Sequence, residues 1–290
     1  MRTTLITACV AALAVAVPGA AIAISSYNSQ PAPERTEVGA FVAQWDNDGD
    51  PTTPDRVDWV CSGTMISDDV YLTAAHCTTD WPEGVRMGVS RSQDVEADLD
   101  AAFAAGLRAD ALFDAVAVEG TPHTEPGYPG TSADSHDIAV LTFDSAAARE
   151  VASRWPAFTP ARLPSAGQLS RLGPRRLDRL SWLVVGYGTE EAHRGPGGHT
   201  HPGGGVRKKA ELGFSALNKT WIRLAMNESR GFGGACYGDS GGPNYATIGG
   251  RRILAGTTIT GEVPCYATNV AYRMDAPTAR AFLSKYVELP

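Results

Sequence analysis

Gly234-Ala235-Cys236-Tyr237-Gly238-Asp239-Ser240-Gly241-Gly242-Pro243 is the stretch on which the reading of this chain turns. Glycines on both sides of Asp239-Ser240 let a backbone turn sharply and approach a ligand closely. A serine held there is exposed, and neighbouring N–H groups can point at a developing oxyanion. Its hydroxyl is a poor nucleophile until a base takes the proton. His76 is the candidate base, in Thr73-Ala74-Ala75-His76-Cys77, directly after an apolar strand-like run. His193, His199 and His201 belong to the glycine-rich stretch around Gly195–Gly205, which reads as an exposed loop without regular structure. The base needs an orienting acid. Asp137 opens Asp137-Ile138-Ala139-Val140-Leu141 at the mouth of a buried strand, where a carboxylate is costly unless paired. Asp134 and Asp144 flank the same strand and remain alternatives.

Chain order separates two folds. Gly238-x-Ser240-x-Gly242 also fits the elbow of α/β-hydrolases, in which a histidine follows the serine. No histidine follows Ser240. The order His76, Asp137, Ser240 is that of the chymotrypsin-type triad.

Outward from these motifs the chain reads as short strands bounded by Gly, Pro, Asp and Ser. They include Val38–Trp45, Val57–Ile66, Val70–Ala74, Leu112–Val118, Ile138–Phe143, Trp182–Tyr187, Trp221–Met226, Ile253–Ile259 and Val270–Met274. Alanine-rich stretches at 97–107 and 144–155 have the composition of short helices, and Pro277–Val287 has the pattern of a closing helix. The Pro/Arg-rich section 155–179 reads as a crossing between two halves.

Residues 1–23 carry one charge, Arg2, then an apolar run from Leu5 to Val17, a Pro18-Gly19 break and Ala21-Ile22-Ala23. This is the build of a secretory signal peptide, favoured over a membrane anchor by the break and the small residues before the cleavage point. Cleavage would remove Cys9 and leave Cys61, Cys77, Cys236 and Cys265, which allow three pairings. Export permits disulfides, and no C-x-x-C pair points to a metal, so none is expected. Asp46-Asn47-Asp48-Gly49-Asp50 is similar to part of a calcium loop. Pro51 stands where a Gly is needed and Val57 where a Glu would close it, so it reads as an acidic turn.

The chain has 290 residues, 43% apolar and 20% charged, with a net charge of -7. That length suits one large domain or two small ones. An acidic chain without a basic stripe is not built for nucleic acid or anionic membrane.

TAAHC, DIAVL and GDSGGP, in that order, resemble the secreted trypsin/chymotrypsin-like serine proteases, and the alanine-rich leader gives the resemblance a bacterial cast. The resemblance implies an all-β fold of two six-stranded antiparallel β-barrels with a C-terminal helix. Residues 24–290 would form the peptidase domain, with barrels at about 38–145 and 179–274 and a helix at about 275–288. It implies His76, Asp137 and Ser240 as the catalytic triad, and the N–H groups of Gly238 and Ser240 as the oxyanion hole. The implied disulfides are Cys61–Cys77 and Cys236–Cys265. The chemistry needs no cofactor: Ser240 attacks a peptide carbonyl, His76 takes and returns the proton, and water releases the acyl-enzyme. The expected partner is a protein or peptide substrate of an extracellular monomer with no stable membrane association after signal cleavage. An esterase-like hydrolase and a non-catalytic binding relative are the other classes.

Two finer expectations follow from the same resemblance. The specificity pocket would be formed by Gly234 at its floor and Gly261 and Asn269 on its walls. With Gly where an acid would receive Arg or Lys, medium or small side chains are expected, Glu262 being a more distant acid. Family members also insert a new N-terminal amine beside the acid that precedes the nucleophile. Ile24 directly follows Ala21-Ile22-Ala23 and lies 14 residues before Val38, so signal cleavage itself would free an amine for an Ile24–Asp239 ion pair.

Overall fold

The computed structural model describes residues 24–50 and 52–290; the expected signal segment, with Cys9, lies outside them. A short arm, β1 (Ser29–Pro31), enters first. The first barrel follows with β2 (Val38–Trp45), β3 (Arg56–Met65), β4 (Val70–Thr73), β5 (Arg86–Ser90), β6 (Val118–Glu119), β7 (Thr121–Thr124) and β8 (Ala139–Thr142). Their order is β6-β5-β2-β3-β4-β8-β7. Gly120 alone separates β6 from β7, and its N–H bonds to Met87 O. Taken as one broken strand, 118–124 brings the barrel to six strands and nearly closes it.

The second barrel comprises β9 (Trp182–Gly186), a small hairpin of β10 (His193–Gly195) and β11 (Gly198–Thr200), then β12 (Lys208–Leu217), β13 (Trp221–Ala225), β14 (Pro243–Ile248), β15 (Arg251–Gly261) and β16 (Thr268–Arg273). It closes because β9 pairs with both β12 and β14. The arm β1 adds to β12 from outside. The architecture is therefore all-β and chymotrypsin-like, with a C-terminal helix, as expected.

Three local readings change. Leu112–Val118, expected as a strand, is mostly helix. Of α1 (Val95–Ala104) and α2 (Ala109–Val116), the second buries Leu112, Phe113 and Val116. Positions i, i+1 and i+4 share one helical face, and a short apolar run does not reveal its period. The glycine-rich stretch is not without regular structure: His193 faces Thr200 and Gly195 faces Gly198 around a two-residue turn, a link that glycine favours. Strands β1, β5, β7, β12 and β14 are not among those read from the sequence. The remaining helices are α3 (Ser145–Arg154), α4 (Gln168–Leu172), α5 (Pro174–Leu177) and α6 (Pro277–Leu283). Asp94 caps α1 by accepting from Ala97 N, and Asp144 caps α3 by accepting from Ala146 N and Ala147 N. Helix α6 stops four residues before Val287 and buries Ala279, Phe282 and Leu283.

The barrels share a core. Leu72 and Val140 of the first belong to one apolar cluster with Tyr187, Tyr245 and Leu254 of the second. Each such side chain contributes about 1.5–3 kcal/mol when fully buried. Buried Arg207 joins the halves: its guanidinium donates to Ala32 O, Val38 O, Arg91 O and the Tyr187 hydroxyl. A buried cation is tolerated only when so bonded. This packing fixes the seam between the barrels, where His76, Gly238 and Ser240 converge on one cleft.

Candidate active site

His76 lies in a single 3-10 turn, Ala75–Cys77, just after β4. Asp137 lies just before β8. Thr73 pairs with Ala139 across the antiparallel β4–β8 ladder, so the residue three past the first and the residue two ahead of the second emerge at the same sheet end. The His76 N–H donates to Asp137 Oδ1 at 3.0 Å, and Nδ1 lies 2.9 Å from Asp137 Oδ2. A carboxylate oxygen accepts, so Nδ1 is the ring nitrogen that donates here, and in the neutral imidazole Nε2 is then the acceptor. Asp137 is buried, and its two oxygens are matched by these donors.

The alternatives separate cleanly. Asp134 accepts from the Tyr272 hydroxyl and from Thr278 Oγ1. Asp144 is spent on the α3 cap. His136 is paired with Glu125 at 2.7 Å. His193 sits between Glu190 and Glu191, and His201 Nδ1 lies 3.1 Å from Glu190 O.

Ser240 stands on a turn whose glycines are required. Gly238 and Gly241 have φ of 90° and 78°. A side chain on Gly241 would overlap Thr73 Oγ1 and Ser62 O, because this turn is pressed onto the first barrel. The Ser62 N–H donates to Ser240 O at 2.8 Å, and Gly241 N donates to Thr258 O at 2.7 Å. His76, Gly238 and Ser240 line one cleft of about 590 Å³ between the barrels. Cys61–Cys77 and Cys236–Cys265 are the two disulfides, one beside each half of the cleft.

Of the expected pocket residues, Gly261 and Asn269 line this cleft and Gly234 does not. A side chain on Gly234 would overlap Met226, which fills the space behind it. Asn269 is buried, its Nδ2 donating to Asn244 Oδ1 at 2.8 Å. Among the described residues, Glu262 is the only carboxylate lining the cleft. Its oxygens accept from the N–H groups of Tyr266, Ala267 and Thr268, so it ties down its own loop.

Asp239 is fully buried, and burial pushes its pKa up to about 7 against the pull of two backbone donors, Cys236 N and Gly188 N. Gly188 also accepts from Ile24 N at 2.9 Å, and Ile24 is fully buried. The arm behind it is held firmly: Ser25 exchanges bonds with Gly234, and Ser26 N donates to Glu191 Oε2 at 2.8 Å. Glu191 was missed in the sequence, where two adjacent acids look like surface; only their burial in the fold marks them.

Two barrels, a cleft between them, a histidine held by an aspartate and a glycine-bounded serine define a class, the chymotrypsin-like serine hydrolases. The trypsin family model matches residues 49–280, and the chain belongs to the trypsin family. It is similar to Melanization protease 1 of Drosophila melanogaster, at 29% identity over 230 residues that cover 71% of this chain and 52% of that protein. It is also similar to CLIP domain-containing serine protease B4 of Anopheles gambiae, at 27% identity over 285 residues, covering 84% and 72%. The chain thus spans about half the length of the first relative. Both relatives are insect proteins, so the bacterial cast of the leader finds no support among them.

Proposed function

We propose that the protein is a secreted serine endopeptidase that cleaves protein or peptide substrates as a monomer through an acyl-enzyme. The observation that carries this reading is the doubly bonded His76–Asp137 pair at the mouth of a cleft that also holds Ser240 and Gly238. Asp137 fixes the tautomer in which Nε2 accepts the Ser240 proton. Its charge then stabilises the imidazolium. The N–H groups of Gly238 and Ser240 receive the oxyanion. His76 next protonates the leaving amine, and water repeats the sequence on the ester.

The cleft supports a preference for medium or small uncharged side chains at the cleaved bond. Among the described residues lining it, the one carboxylate, Glu262, is bonded to its own loop rather than free for a buried cation. The inserted arm supports activation by an Ile24 ammonium beside Asp239, since a carboxylate buried without a cation is the costly state.

Labelling by a fluorophosphonate tests the reading. Wild type is expected to label, and Ser240→Ala to be inert. His76→Ala should lose nearly all peptide hydrolysis, leaving at most the ~10³–10⁴-fold residue over water that oxyanion binding supplies. No Ser240-dependent labelling would overturn enzymatic function, and ester turnover without peptide turnover would move the protein to the esterase class.

A further inference from the structure

Strand β3 carries an irregularity beside the nucleophile turn. Phe41 pairs with Cys61, but Val42 pairs with Trp59, so Val60 is an extra residue in the ladder. A bulge shifts the alternation of side chains by one. Trp59 and Ser62, three apart, are thereby turned to the same neighbour, the oxyanion turn of the second barrel.

Ser62 is completely buried, and its hydroxyl both donates and accepts. It accepts from Tyr187 N at 3.0 Å and donates to Gly238 O at 2.8 Å. Its own N–H holds Ser240 O. One residue of the first barrel thus grips both residues proposed as oxyanion donors. The Trp59 indole covers the α-carbon of Gly238, where any side chain would overlap its outer ring. The same ring closes over Gly204 and Gly205, and its Nε1–H donates to Glu96 Oε2 at 2.7 Å. Glu96 belongs to α1, whose first N–H, from Val95, is anchored on Gly205 O.

Gly238 needs such support. At φ of 90° it occupies a region where glycine moves freely, and its peptide is otherwise fixed by the Thr189 N bond to Tyr237 O. An oxyanion donor works only if it is aimed before charge develops.

We propose that Trp59 and Ser62 are positioning residues that clamp the oxyanion turn from the opposite barrel, setting the aim of the Gly238 N–H. This rests on the reading of Gly238 and Ser240 as oxyanion donors. Neither residue contacts the reacting atoms in this role; they act through Gly238.

The test compares wild type with Ser62→Ala, and with Trp59→Phe as an independent variant should the buried serine prove necessary for folding. Each is assayed well below its own melting temperature for kcat and KM on one peptide substrate, and for inhibition by a peptide aldehyde that forms an oxyanion on Ser240. Losing a donor outright costs about 10²–10³ in rate, and a misplacement of about 1 Å costs on the order of 10². The expected result is therefore a fall in kcat of about 10- to 100-fold, with KM within about twofold. Aldehyde affinity should weaken by a similar factor. Unchanged kcat in a folded variant, or a rise in KM alone, would overturn the clamp while leaving the protease reading in place. Wild type that neither turns over nor labels at Ser240 would overturn the protease reading, and the clamp with it.

Discussion

Asp239 offers a test in which the pH range of a stability loss reports the state of the N-terminus. Its carboxyl is fully buried, and burial lifts its pKa from 3.8 to about 7 when Ile24 is part of a longer chain. Below about pH 4 both folded and unfolded states hold the proton. Between about 4 and 7 only the folded state holds it, so stability falls as pH rises. About three pH units at ~1.4 kcal/mol each amount to a penalty of about 4 kcal/mol at neutral pH. A free Ile24 ammonium beside this carboxylate would favour its charged form and remove most of that penalty. The falling slope between about pH 4 and 7 then disappears, and the pH dependence moves to the alkaline side, where it belongs to a cation gaining a partner. The amine's pKa is raised on folding, so its stabilisation is present below the unfolded value of about 8 and is lost as pH rises through the folded one. The assay is urea unfolding across about pH 4–8 for two forms, one beginning at Ile24 and one retaining Ala23, each with and without Asp239→Asn. An amide can accept from only one of Gly188 N and Cys236 N, so the substitution carries a pH-independent cost of about 1–3 kcal/mol. Only the slope is informative. In the form retaining Ala23, Asp239→Asn should flatten the profile by about 4 kcal/mol in total; in the Ile24 form it should abolish stability gained from the ammonium. Identical slopes for wild type and Asp239→Asn in the Ala23 form would refute the reasoning, as would equal profiles for the two wild-type forms.

A peptide-library cleavage profile should be led by medium or small uncharged side chains on the acyl side, because Glu262 is occupied by its own loop; dominance by Arg or Lys would contradict it. Gly241→Ala should destabilise by about 2–5 kcal/mol in thermal or urea unfolding, combining a left-handed backbone with overlap on Ser62 O and Thr73, and a loss below about 1 kcal/mol would show that the turn can retreat from the first barrel.

The motifs were legible because each names a residue type that its chemistry cannot replace. Gly238 and Gly241 announce positive φ, and Ser240 between them is half-buried on the wall of the cleft. The choice of Asp137 over Asp134 and Asp144 was open at the level of composition. The β4–β8 register settles their geometry by bringing residues 76 and 137 to one end of the sheet. Strand β12 escaped because it opens with Lys208 and Lys209 and carries Glu211, and charge reads as surface. Lys208 is nevertheless buried, near Glu190 and Glu191, whose charges offset the burial that lowers its pKa.

What the sequence could not carry is the aim of side chains that depend on a single unpaired residue. With strict alternation, Val60 would share a face with Ser62, and Trp59 would point the opposite way. The extra residue at Val60 reverses that assignment for everything before it. No hydrophobic pattern encodes the reversal, since Trp59, Val60 and Cys61 are apolar in succession. The consequence reaches across the molecule. An indole that alternation would send to the other face instead meets Gly238. The Cys61–Cys77 disulfide and the Ser62 bonds hold the following residues against the His76 turn and the Ser240 turn together. The two barrels are thus registered to each other at the reacting centre by one segment of β3, residues 59–62. A change that removes the bulge without altering any proposed catalytic side chain would rotate Trp59 away from the oxyanion turn while leaving the triad residues in the chain.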